Sequence, residues 1–308
     1  MFRAPVLLLA LALVVPAAAN AKTLEAGEGK TYKLPSDAIK AAADGDKVVI
    51  AAGEYFDCAV VGASNLTIEG AGPDGSSILT DKACGGKGLL ITTGDNITVR
   101  NLTLTRARVP DGNGAGIRAE GNGLVVEHVK FINNQNGILA NDRPDGTITV
   151  RDSEFTKNGT CDGACAHGIY ASKIKLLHVE HSTFTETRQA HHIKSRALRT
   201  EVIGCTFTDG PNGTASYEID IPNGGSLVAR DNTIDKGPKA ENHTAAIIIG
   251  EEGVNQPTRE ITVSNNTFHN SGSYGTFLVY NLTATEAMLT NNKLSGSVQP
   301  LHGDGEVN

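Results

Sequence analysis

Five short segments recur along the chain: GIRAE from Gly116, GILAN from Gly137, GIYAS from Gly168, HIKSR from His192 and EIDIP from Glu218. Each reads as one strand centred on an isoleucine: Ile117, Ile138, Ile169, Ile193 and Ile219. The steps between these isoleucines are 21, 31, 24 and 26 residues. A second series runs between them: VKFIN, SEFTK, STFTE, CTFTD, NTIDK, NTFHN and NKLSG. Two interleaved strand series with a shared period of about 25 residues describe a solenoid of β-coils. Matching positions in successive coils then lie about 4.8 Å apart, the spacing of adjacent strands.

Composition agrees. The absence of Trp, the few aromatics and the 35 glycines suit β-coils with tight turns, not a helical bundle. Residues 1–21 read as a signal peptide: Arg3, an apolar run from Val6 to Val15, then Ala19-Asn20-Ala21 as the cleavage site. That run is too short to span a bilayer. The expectation is an exported chain of 287 residues starting at Lys22, secreted or periplasmic, with no membrane span and monomeric. The net charge of −7 disfavours diffuse nucleic-acid binding but permits a local basic groove for an acidic partner.

Residues 22–64 read as an N-terminal cap and first coil, 65–295 as the coils, and 296–308 as a tail or loose cap. Pro35-Ser36-Asp37 offers a helix start before a short helix over Ala38–Ala43. A helix across the open end of a solenoid covers unpaired strand edges. Export permits disulfides. Cys58 with Cys84, and Cys161 with Cys165, are the candidate pairs; a zinc site from Cys161, Cys165 and His167 is the alternative reading. Cys205 falls in a series with Ser153, Ser182, Asn232, Asn266 and Asn292, and reads as a buried free thiol in an internal polar ladder.

The coil map locates the chemistry. Alternation is expected to send the central isoleucine inward and its neighbours outward. In three coils those neighbours become Gly168 and Tyr170, His192 and Lys194, Glu218 and Asp220, with Arg196 further along the Lys194 strand and His167, His191 and Tyr217 at the turn. Three connections exceed the period, over residues 158–166, 235–243 and 251–259, all near these strands. They are expected to form groove walls.

The segment PSDAIKAAADGDKVVIAAGEY and the coils resemble right-handed parallel β-helix proteins of the pectate lyase-like superfamily. The stretch HHIKSRA, followed by VIGCTFTDG and YEIDIPNGG, is similar to secreted β-helix proteins usually labelled only by fold. The Lys194-Ser195 strand is also similar to the Lys-Ser segment of alginate-lyase-type β-helices. That resemblance implies an all-β fold, a single right-handed parallel β-helix with a short N-terminal capping helix. It also implies a Lys base and an Arg acid on the next coil. Lys194 matches, whereas the next coil carries Asp220 and the arginine, Arg196, lies on the Lys194 strand.

β-Elimination on a uronate-containing polysaccharide needs a neutralised carboxylate, a base near C5 and an acid near the leaving O4. Arg196 is suited to the carboxylate. Lys194 would be a base if its pKa fell, which Glu218 and Asp220 oppose. Tyr170 and His192 are rival proton-transfer groups. His167, His191, Tyr217, Glu218, Asp220 and Asn223 are the candidate substrate-binding residues. Alternatively Glu218 and Asp220, with Glu251 or Glu252, form a Ca²⁺ site that neutralises the carboxylate. Other readings are a hydrolase using Glu218 and Asp220, a C5-epimerase, a non-catalytic carbohydrate-binding or envelope protein, and a plain surface ion-pair ladder.

Overall fold

The computed structural model describes residues 21–73 and 75–308; the signal-peptide reading, over residues 1–21, lies outside them apart from Ala21. Three sheets of twelve, ten and ten strands run the length of the described chain, and their strands pair in parallel throughout. Each coil supplies one strand to each sheet. Thr183–Thr185, His191–Ser195 and Arg199–Ile203 make one such coil.

The repeat segments stack as their spacing requires. Ile117 pairs with Ile138, Ile138 with Ile169, Ile169 with Ile193, and Ile193 with Ile219. All five are fully buried. The second series forms a phenylalanine column, in which Phe131, Phe155, Phe184 and Phe207 stack with ring centroids 4.6, 4.6 and 4.9 Å apart. Removing one ring would leave a cavity costing about 3–5 kcal/mol. The polar ladder is also present. Asn232 and Asn266 each donate Nδ2 to the next asparagine's Oδ1, at 2.9 Å, and Asn232 Oδ1 accepts from Cys205 N at 2.8 Å. Cys205 is a buried free thiol, and burial pushes it up to about 12.

The helix spans Pro35–Ala41, with Pro35, Ala38 and Ile39 buried. It starts earlier than the expected Ala38 because Pro35 occupies the first turn, where a missing N–H costs nothing. The expected Ser36 or Asp37 cap is not used. Asp57 Oδ2 instead accepts from Ser36 N at 2.8 Å. The helix packs against Thr23–Ala26, Lys47–Ile50 and Ala59–Val61, at the N-terminal ends of two sheets. At the other end, residues expected as a tail continue the coils: Val298–His302 and Gly305–Val307 are edge strands of two sheets.

Candidate active site

The strands Ile169–Ala171, His191–Ser195 and Tyr217–Ile221 lie side by side. Their register aligns Tyr170 with Lys194 and Lys194 with Asp220, and aligns His191 with Tyr217. Two columns of side chains therefore run along the outside of the sheet. In one, the His167 and His191 rings stack at 4.9 Å, and His191 meets Tyr217 at 5.2 Å.

The inside–outside alternation expected around each isoleucine fails on its N-terminal side. The neighbour that precedes each isoleucine does not face outward. His192 and Glu218 are fully buried. The chain turns a corner at this position, so the side chain points at the phenylalanine column. A Cβ on Gly116 would lie 2.8 Å from a Phe131 ring carbon, and one on Gly137 2.8 Å from Phe155. In the His192 coil the imidazole fills that space, edge-on to Phe184 and Phe207.

His167, Tyr170, His191, Lys194 and Arg196 line a groove of about 510 Å³. Cys161, Ala164 and Cys165 wall one side, and Ser216 and Glu241 belong to the same rim. The three long connections thus all border the groove, the third through Glu252. Its carboxylate contacts Lys194 Nζ at 2.7 Å and Arg196 Nη2 at 2.7 Å. Arg196 Nε also donates to the Tyr170 hydroxyl oxygen at 3.0 Å, and Arg196 Nη1 to Asn223 Oδ1.

Lys194 Nζ lies 3.0 Å from Asp220 Oδ2. Burial opposes its charge, but Asp220 and Glu252 outweigh burial and hold the ammonium above its ordinary range. The depressed pKa that a free lysine base requires is therefore absent. Asp220 is pushed up to about 7, by burial first and by Glu251 in addition, with Lys194 opposing. Tyr217 is raised by burial and by Glu251.

The two groove imidazoles are held neutral. Burial lowers both well below the usual histidine range, and Lys194 adds to it. His167 Nδ1 accepts from His191 N at 3.2 Å, and His191 Nδ1 accepts from Tyr217 N at 3.3 Å. Each neutral ring must then carry its proton on Nε2. His191 Nε2 lies 3.3 Å from Asp220 Oδ2. Both rings are hydrogen-bond donors, not bases.

Beneath the sheet lies a separate buried cluster. His192 Nε2 is 3.0 Å from both Asp209 Oδ1 and Glu218 Oε2, and its Nδ1 is 2.7 Å from Thr187 Oγ1. Lys236 Nζ donates to Ser216 O at 2.7 Å and lies 3.4 Å from Glu218 Oε1. Burial disfavours the imidazolium, yet Glu218 and Asp209 overcome this and push His192 up to about 9. Two cations against two carboxylates make the cluster neutral, the condition for burying charges. His192 and Glu218 are thereby out of reach of a ligand in the groove, and Glu218 and Asp220 lie on opposite faces of their strand.

The expected Ca²⁺ ligands do not converge: among the described residues, no three of Glu218, Asp220, Glu251 and Glu252 bring carboxylate oxygens together. Asp220 and Glu251 come within 4.8 Å of each other and of a histidine nitrogen, His191. That mixed set, with Asp220 already on Lys194, does not fit the all-oxygen cage that Ca²⁺ prefers. The zinc reading also fails, because Cys161 and Cys165 are bonded to each other, as are Cys58 and Cys84.

Sequence reasoning passed over Asp209, Lys236 and Thr187, which share no coil position with the patch and meet His192 and Glu218 only in space. It also passed over Phe277, Tyr280 and His302, although strand counting could have found them. Ile248 pairs with Tyr280 and Tyr280 with His302, extending the Tyr170–Lys194–Asp220 column toward the C-terminus. Their rings cluster, with Tyr280 and His302 stacked at 3.9 Å.

A comparison with curated proteins finds no match. Among solved structures, an alginate lyase from Paenibacillus sp. str. FPU-7 superposes with a TM-score of 0.66 at 19% identity, over 92% of this chain and 99% of that one. Pectate lyase Pel9A superposes at 0.62 with 14% identity, over 95% and 80%. The PL6 family alginate lyase AlyGC gives 0.58 at 18% identity, over 93% of this chain and 41% of its own. At these identities the likeness is one of fold. The family model described as right handed beta helix region matches residues 57–207 and 144–305. With that match spanning most of the chain and three parallel sheets built from its coils, the protein belongs to the right-handed β-helix family.

Proposed function

We propose that the groove binds an acidic, uronate-containing polysaccharide and cleaves it by β-elimination. The observation that carries this reading is the grip of Lys194 and Arg196 on a single carboxylate, that of Glu252, beside the Tyr170 hydroxyl. A uronate carboxylate in Glu252's place would meet one ammonium and one guanidinium, which offset the charge that develops when C5 loses its proton. Lys194 acts here as a cation, in keeping with its raised pKa. Tyr170 is the proton-transfer group. As phenolate it takes the C5 proton; the electron pair forms the C4–C5 double bond; the C4–O4 bond breaks; the phenol returns the proton to O4. His167 and His191 offer Nε2–H donors to sugar oxygens. The separation of Glu218 from Asp220 weighs against hydrolysis by that pair. The two disulfides fit action outside the cytoplasm, in the periplasm or the medium.

The test is ultraviolet absorbance of the unsaturated uronate product, on a panel of alginate, pectate, glucuronan, glycosaminoglycans and bacterial exopolysaccharides. Absorbance that rises with the wild type and not with Tyr170→Phe or Arg196→Ala supports the assignment. New reducing ends without absorbance would mean hydrolysis, and a changed uronate composition without cleavage would mean epimerisation; either result sinks it.

A further inference from the structure

We infer that Arg108 and Arg188 form a second anion-binding site, outside the groove, for a carboxylate of the same acidic polysaccharide. The polymer as its source rests on the β-elimination reading. Both guanidiniums converge on one oxygen. Arg108 Nη2 donates to Asn133 Oδ1 at 2.7 Å, and Arg188 Nη1 donates to the same atom at 2.9 Å. The amide oxygen is neutral, so it gathers two positive charges without offsetting either, and like charges at this range repel. Among the described residues, no carboxylate lies within ion-pair distance of Arg108 or Arg188. Elsewhere Arg100, Arg106, Arg151, Arg199 and Arg230 each reach one.

Arg108 and Arg188 are exposed and line a cavity of about 500 Å³ together with Thr160 and Asp162. Asp162 is the one acidic side chain on that lining and pairs with neither arginine. Two guanidinium forks facing one opening suit an oxyanion with more than one oxygen, such as a carboxylate. The loop closed by Cys161–Cys165 separates this cavity from the groove. Asp162 faces the cavity side, whereas Cys161, Ala164 and Cys165 line the groove. A polymer with one uronate in the groove needs only to cross that loop to place another between the arginines.

The double variant Arg108→Gln/Arg188→Gln tests this against a control that removes the same charge elsewhere, Arg143→Gln/Arg259→Gln. All four side chains are exposed, so folding is not at stake. Retardation in gels containing the cleaved polymer reads affinity, turnover of a tetrasaccharide reads the groove alone, and calorimetric titration with sodium sulfate reads the anion site without any saccharide. The expected result is a loss of polymer affinity of about tenfold in the double variant, with tetrasaccharide turnover unchanged and the control unaffected. Unchanged polymer affinity overturns the polymer assignment; if sulfate heat is nevertheless lost, the site takes a free oxyanion instead. Should the wild type neither bind nor cut any acidic polymer, the proposed function fails on its own. The arginine site then stands if sulfate binds the wild type and not the double variant, and falls if both titrations are flat.

Discussion

Glu252 closes on Lys194, with Oε1 2.7 Å from Nζ, while its other oxygen lies 2.7 Å from Arg196 Nη2. It stands on a turn between Gly250 and Gly253, whose φ values of 89° and 92° are left-handed and admit glycine most readily. On the proposed reading the carboxylate competes with substrate for both cations. Glu252→Gln keeps the shape and removes the charge. A partly exposed ion pair contributes on the order of 1 kcal/mol, so KM should fall about fivefold with kcat little changed. Initial rates across substrate concentration check this; a raised KM would make Glu252 part of the binding site instead.

Lys194 is also the cation 3.0 Å from Asp220 Oδ2; Asp220 is fully buried, and neither of its carboxylate oxygens has a hydrogen-bond partner. The ladder of exposed ion pairs considered from the sequence would have made Lys194→Ala nearly neutral in stability. With a buried partner, the same substitution strands a carboxylate and should cost about 3–5 kcal/mol, besides abolishing activity. Lys194→Ala/Asp220→Asn should recover most of the stability and none of the activity. Denaturant titration of the single and double variants separates the two effects. Stability left unrestored in the double variant would show that Asp220 is not what Lys194 compensates.

The coils were legible because a solenoid repeats its contacts. Ile117 to Ile219, the phenylalanine column and the Asn232–Asn266–Asn292 ladder each recur at one period, so spacing alone aligned them. The outward column of Tyr170, Lys194 and Asp220 was legible for the same reason. What alternation missed was the corner ahead of each isoleucine. A glycine in Gly116 and Gly137 says nothing about direction, since it has no side chain to bury or expose. His192 and Glu218 therefore looked like surface groups, and the groups that neutralise them lie elsewhere in the coil: Lys236 ends the strand Thr233–Lys236 of a second sheet, and Asp209 follows the strand Thr206–Thr208 of that sheet. The role of Glu252 was hidden too, because a long connection carries no period from which to place it.

The two disulfides should differ in what they stabilise. Cys58 and Cys84 are 26 residues apart, Cys161 and Cys165 only 4. Chain-entropy scaling gives about 3.5 kcal/mol for the longer loop and about 2 kcal/mol for the shorter. Cys58→Ser/Cys84→Ser should therefore lower Tm more than Cys161→Ser/Cys165→Ser. Activity should follow the opposite order, since the short loop walls the groove and the long one lies at the N-terminal coils. Melting curves and polymer turnover on the two double variants test both halves; an activity loss confined to the Cys58–Cys84 variant would contradict the groove assignment.

His192 makes stability depend on pH. An unfolded histidine titrates near 6.5, and the Glu218 and Asp209 carboxylates push the buried ring up to about 9. Because folding raises the pKa, the folded state binds the proton more tightly. The contribution is fully present below about pH 6.5 and is lost as pH climbs toward 9, on the order of 3 kcal/mol across that window. Asp220 acts at lower pH: its carboxyl, raised to about 7, also makes stability decline with rising pH, but between about 4 and 7. The windows separate the two groups. Unfolding free energies by urea titration from pH 5 to 9 should fall in the wild type above pH 6.5. In His192→Gln they should start lower, because Asp209 and Glu218 keep only Lys236, and run flatter above pH 6.5. Parallel curves for the two proteins above that pH would mean that His192 carries no extra proton in the fold and that the cluster is held together by Lys236 alone.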